Sequence, residues 1–266
     1  LLGAGLAIAG STYQGIFRNP LVSPDVLGVS SGAGFGSVLG ILLFGMSATT
    51  SLLAFVFGLG SVFLTYLFAR ARGQTTMMSL VLSGMIVSAI FAALISLVKY
   101  VADPYDALPA ITYWLMGSFS KATFEDLRYI FIPLTASLAV LNLVRWRINI
   151  LSLGEEESKS LGVNPTRIKF IAIIASTVLT ALSVTVVGIV GWVGLVIPHI
   201  TRLLFGVDHK VLLPASCFIG AIFLTVVDIV SRSVISAEIP IGIITALLGA
   251  PFFGFLLKYT NQKGDW

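Results

Sequence analysis

Long apolar runs separated by short polar punctuation dominate this chain. They fall at about 1–16, 27–45, 50–70, 79–101, 128–144, 168–188, 191–206, 211–231 and 240–259. A helix needs about 20 mostly apolar residues to cross the hydrocarbon core of a bilayer. None of the runs shows the ten-residue alternation of a membrane β-strand. Lipid cannot satisfy backbone N–H and C=O groups, so runs of this kind predict α-helices. The expected fold is therefore all-α, a polytopic transmembrane helical bundle forming a single domain over 1–266. The run at 191–206 is the least regular, because Gly188, Gly191 and Gly194 can place a loop or a break there. The chain opens on Leu1 inside an apolar run, so we expect a truncated N-terminus, with nine visible spans of ten.

Composition agrees with the pattern. Hydrophobic residues make up 57% of the 266 positions and charged residues 11%, against roughly 25% charged in soluble domains. Mean hydropathy is +1.01. A net charge of +4 would suit nucleic acid in a soluble protein, but here the basic residues sit in the turns between runs, where they report topology. The expected partner is the lipid bilayer, with no nucleic acid. Nine spans place Arg18, Arg70, Arg72, Arg145, Arg147, Lys159, Arg167, Lys169, Arg202, Lys210, Lys258 and Lys263 on one side, and Lys99, Lys121, Arg128 and Arg232 on the other, a 12 to 4 split. The basic side, with the C-terminus, is predicted to be cytoplasmic. Cys217 has no partner for an intrachain disulfide and reads as a packing residue.

Small residues recur every four positions at Gly3, Ala7, Ser11 and Gly15, and again at Gly28, Gly32, Gly36 and Gly40. Such stripes let helix backbones approach closely. An outer segment at about 100–128 mixes Asp103, Asp106, Glu125 and Asp126 with Tyr105, Tyr113, Trp114, Phe119 and Phe124. Its part from Ala110 to Ser118 suits a short interfacial helix, either a headgroup anchor or a docking site. On the basic side, about 150–164, Leu151 to Gly162 has the charge of a soluble helix, a stop at Gly162, and apolar contacts at Leu153 and Leu161. A surface helix seated in a partner's groove needs that pattern; a solvated loop is the alternative.

Enzymatic chemistry finds no support. His199 and His209 have no His or Cys at metal-ligand spacing, so no metal site and no catalytic residue is assigned. There is no Gly-Lys pair and hence no P-loop. Ion-coupled carriers place ionisable groups near the midplane, whereas Lys99, Asp228 and Arg232 lie toward the predicted outer ends. An ion-coupled secondary transporter therefore stands as the alternative reading only. Asp228 and Arg232, four apart, can pair along one helix face.

Two stretches carry a resemblance. Gln14-Gly15-Ile16-Phe17-Arg18-Asn19-Pro20-Leu21 and Pro24-Asp25-Val26-Leu27-Gly28-Val29-Ser30-Ser31-Gly32-Ala33-Gly34 resemble the signature of the FecCD/BtuC permeases of type II ATP-binding-cassette importers. Matches continue in order at Tyr113 to Gly117, at Leu153-Gly154-Glu155 with Leu161-Gly162, and at Gly194 to His199. They end with Asp208 to Pro214, Pro240 to Gly242 and Leu248 to Pro251.

The resemblance implies a ten-helix permease in a bacterial or archaeal cytoplasmic membrane, working as a homodimer with two cytoplasmic ATPase subunits and an external or periplasmic solute-binding protein. Its cargo would be a metal chelate (ferric siderophore, haem or cobalamin) or a metal oxyanion such as molybdate. No cofactor is expected on this chain, since ATP and Mg belong to the ATPase partner. Residue by residue, the resemblance implies ATPase docking at Leu153, Gly154, Glu155, Glu156, Leu161 and Gly162, and binding-protein docking at Arg232. It also implies an inner gate at Thr75, Thr76, Met77 and Met78, where the two methionines are bulkier than the small polar residues some relatives carry.

Overall fold

A computed structural model describes residues 1–70, 76–235 and 237–263. Among these there are eleven α-helices, one 3-10 turn and no strand. Helix α1 spans Leu2–Phe17, followed by the 3-10 turn Pro24–Leu27, α2 (Val29–Phe44), α3 (Ala48–Ala69), α4 (Met77–Val101) and α5 (Ala107–Met116). Then come α6 (Phe124–Leu153), α7 (Glu155–Ser160), α8 (Pro165–Val187), α9 (Val193–Phe205), α10 (His209–Ser233) and α11 (Ile241–Lys263). Five of them, α3, α4, α6, α8 and α10, are long and apolar enough to cross a membrane by length and composition. The run at 191–206 forms α9, whose 13 residues reach only about 20 Å at 1.5 Å per residue. Residues 188–192 ahead of it are non-helical; such backbone is tolerated at membrane depth where protein covers it.

α1 is the axis of the molecule. Every residue from Leu2 to Ile16 is buried, and the helix packs against α10, α8, α9 and α6. α2 and α3 form a tight pair on one flank, and α4 covers both.

Helix boundaries follow local capping chemistry more than hydropathy. Thr123 and Asp126 form a reciprocal capping box that starts α6 at Phe124, four residues before the apolar run at 128–144. The same helix continues to Leu153, through the basic residues Arg145 and Arg147 that hydropathy excluded. Arginine is a good helix former, and the tertiary contacts described below occupy the last turn. Thr76 and Ser79 build an equivalent box before α4, while Asn164 and Asp208 cap α8 and α10.

Glycine decides how close the helices come. A Cβ placed on Gly10 would stand 1.8 Å from the carbonyl oxygen of Gly194 in α9, and one on Gly3 would stand 2.2 Å from that of Gly220 in α10. Gly32, Gly36 and Gly40 of α2 face Phe57, Leu53 and Thr50 of α3 at similarly forbidding range. Gly28 departs from the expected stripe. It lies before α2 with φ 81°, closing the 3-10 turn beside Val87 and Ser88 of α4, so it serves the turn and not the α2–α3 face. Overpacking a close contact of this kind costs about 1–3 kcal/mol. Gly10→Ala is expected to lower the melting temperature of the detergent-purified protein clearly, whereas Gly60→Ala, where added bulk meets nothing within 4 Å, leaves it unchanged or raised. Equal melting temperatures for the two variants would contradict this packing.

Candidate functional site

The polar run on the basic side folds as a break, a short helix and a return. α6 ends at Leu153, Gly154 breaks the helix with φ 146°, and α7 runs for six residues. That backbone conformation suits glycine, and a Cβ there would also meet the Glu157 carboxylate at 1.8 Å. Glu155, Glu156 and Glu157 occupy the first turn of α7 and Lys159 the last, an order that complements the helix dipole. Underneath lies a small core of Ile150, Leu151, Val163 and Ile168. On the other side, Leu153 and Leu161 are 62% and 57% exposed. The element thus presents two leucines and an acidic face outward while it is seated on its own apolar base.

Two residues that sequence reading missed fasten it. Ser158, fully buried, donates its hydroxyl to Ile150 O at 2.9 Å and also to Gly154 O. Lys169 of α8 pairs with Glu155, fourteen positions away. A serine inside a charged run carries no sign of burial, and nothing local couples Lys169 to Glu155. The Lys169 hydrogen bond and charge hold the Glu155 carboxyl below its ordinary range.

The remaining assigned residues are dispersed. Thr76 is the N-cap of α4, Met77 packs against the main core, and Met78 is 73% exposed; Thr75 lies outside the described residues. Arg232, near the end of α10, donates from Nε to Asp228 at 2.9 Å, and the pair remains accessible. At the same end of the bundle, Ser118 N donates to Val187 O (2.9 Å) and Ile241 N to Gly117 O (2.8 Å). The Ser118 hydroxyl reaches Glu238 at 2.8 Å. These bonds tie the end of α5 to the end of α8 and to the start of α11 with the link before it. No group of three or more His, Cys, Asp or Glu side chains suited to a metal is found among the described residues.

Residues 1–259 match the FecCD transport family. The chain belongs to that family. This FecCD chain is 45% identical, over 99% of its length and 78% of the relative's, to the molybdate import system permease MolB of Haemophilus influenzae. It is 41% identical to a Helicobacter pylori protein assigned as an iron chelatin transport system permease, over 98% of this chain and 79% of the relative. A solved structure of a transporter assigned to the metal-chelate type, in an inward-facing conformation, superimposes with a TM-score of 0.91 at 44% identity, covering 97% of this chain and 82% of that one. PsaBC from Streptococcus pneumoniae, at 19% identity and a TM-score of 0.65, shares the fold over 98% of this chain and 92% of its own.

In this FecCD protein the lowered Glu155 pKa has a signed consequence. A depressed carboxyl pKa contributes stability above the unfolded-state value and loses it as pH falls through the folded value. A spin label at Ser160 is therefore expected to stay ordered at neutral pH and to gain mobility once the pH drops below the ordinary glutamate range of about 4.3. Glu155→Gln should show the mobile spectrum already at pH 7. Identical spectra for both proteins at pH 7 would show that the ion pair does not hold α7.

Proposed function

We propose that this chain is the membrane-spanning permease of an ATP-driven importer, forming with a second copy of itself the path for a metal chelate or a metal oxyanion. The observation that carries the reading is the union of the FecCD match over residues 1–259 with α7, a short helix that carries Glu155 and Glu156 and is flanked by exposed Leu153 and Leu161. Exposed apolar side chains on a preformed helix are the anchors that a helix-in-groove interface uses. ATP and its magnesium are handled by two ATPase subunits that dock there, at Leu153, Gly154, Glu155, Glu156, Leu161 and Gly162. A solute-binding protein delivers cargo at the opposite end, where Arg232 is accessible.

The mechanism is alternating access. Loaded binding protein and nucleotide each shift the balance between conformations only by their differential affinity for them. Thr76, Met77 and Met78, at the basic end of α4, together with Thr75, form the inner gate in this reading.

Glu155→Lys, or a bulky residue at Gly154, is expected to abolish most uptake while the permease dimer still purifies intact. Uptake at the unaltered rate in vesicles holding the complete complex would remove α7 as the docking element. For cargo, the complex in proteoliposomes with its binding protein should accumulate molybdate or a ferric chelate only when ATP is enclosed on the ATPase side. Accumulation driven by an ion gradient without ATP would replace this reading with a secondary carrier.

A further inference from the structure

The last turn of α6 is where four helices meet. The final carbonyls of a helix have no partner within it, and here different neighbours take them. Ile150 O accepts from the Ser158 hydroxyl of α7 at 2.9 Å. Leu151 O accepts from both Nη2 (2.9 Å) and Nε (3.2 Å) of Arg18, 133 positions away at the end of α1. The Asn149 side chain turns to the start of α10, where its Oδ1 accepts from the His209 backbone N–H at 2.8 Å and lies 2.7 Å from His209 Nδ1. Its Nδ2 donates to the Asp208 carboxylate. One turn of backbone thus holds α7, the central helix and α10 together.

Arg18 is conspicuous for its backbone as well as its reach. It closes α1 in the left-handed region, φ 50° and ψ 37°, at a position where glycine is the common choice. Among the described residues only Arg18 and Trp192 are non-glycine with positive φ. A strained conformation persists when the surroundings over-determine it, and what distinguishes arginine from glycine here is the side chain on Leu151 O. By contrast, the covalent link from α6 to α7 runs through Gly154, the residue least able to transmit a push.

We infer that Arg18 and Asn149 are positioning residues that make the end of α6, α7, α1 and the start of α10 move as one body. Displacement of α7 then reaches the buried core instead of being absorbed at Gly154. This rests on the reading of α7 as the ATPase-docking element.

The test uses the full complex with its ATPase, in a Cys217→Ala background carrying spin labels at Ser160 in α7 and Leu21 beyond α1. In otherwise unaltered protein, the distance between labels should be the same with and without ATP–vanadate trapping. Arg18→Gly suits the left-handed backbone, so it should melt no lower. On trapping, however, its distance distribution should shift or at least double in width. Asn149→Ala should loosen a second pair, Ser160 and Lys210, in the same way, and Arg18→Lys should restore part of the first effect. Distributions in Arg18→Gly that coincide with the unaltered protein in both states would overturn the inference. Leu161→Asp separates this from the docking reading. If that variant still captures the ATPase, docking at α7 fails; if capture is lost while the Arg18→Gly distances stay unaltered, only the present inference fails.

Discussion

Close backbone approach between helices is the constraint on which the rest of this structure depends. Lipid tails are as apolar as leucine, so burying one helix against another in a bilayer gains little from water exclusion and depends on packing and hydrogen bonds. α1 meets that requirement with Gly3, Gly10 and Gly15, which bring its backbone against Gly220 in α10, Gly194 in α9 and the His209 ring. Ser11 adds a hydrogen bond to Ser216 at 2.8 Å. Replacing those glycines with anything that carries a Cβ would move α9 and α10 outward and with them both ends of the bundle. The buried axis thus sets small residues at its closest helix contacts, while Ile8 and Tyr13 of the same helix fill the core between them.

The two ends of the bundle solve the helix-terminus problem differently, and the difference bears on function. At the basic end, side chains from distant elements take the free carbonyls: Arg18 on Leu151, Ser158 on Ile150, and Thr65 on Leu27 at 2.9 Å. At the opposite end, backbone meets backbone, as Ser118 bonds Val187 and Ile241 bonds Gly117. Gly117, Gly188 and Gly242 allow this because a Cβ on any of them would meet a neighbouring carbonyl oxygen at 2.8 Å or less. The first kind of closure depends on side chains, the Arg18 guanidinium and the Ser158 and Thr65 hydroxyls, at the end where the ATPase is proposed to dock. The second is a compact knot that links the ends of α5 and α8 to the start of α11, at the end where cargo is proposed to arrive.

Much of the architecture could be read from the chain. Each apolar run became a helix, the segment at Ala110 to Ser118 overlaps α5, and Leu153 to Gly162 contains α7. The boundaries of α6 were not readable from hydropathy, since Thr123 with Asp126 extends one end and the joint at residues 149–152 the other. Gly28 followed the four-residue spacing of Gly32, Gly36 and Gly40 yet belongs to a turn. Spacing alone does not reveal where a helix begins.

What the sequence determined by itself is where helices form and that the basic residues gather in the turns between them, because hydropathy, capping pairs and charge are local properties carried by neighbouring residues. Only the tertiary structure decided which faces meet. A helix apolar on every side has no pattern marking its partner, so the pairing of Gly10 with Gly194, of Lys169 with Glu155 and of Arg18 with Leu151 emerges from fitting backbones together. The joint beneath α7 belongs to that second class: its members lie far apart in the chain, and only the fold brings them to one turn of helix.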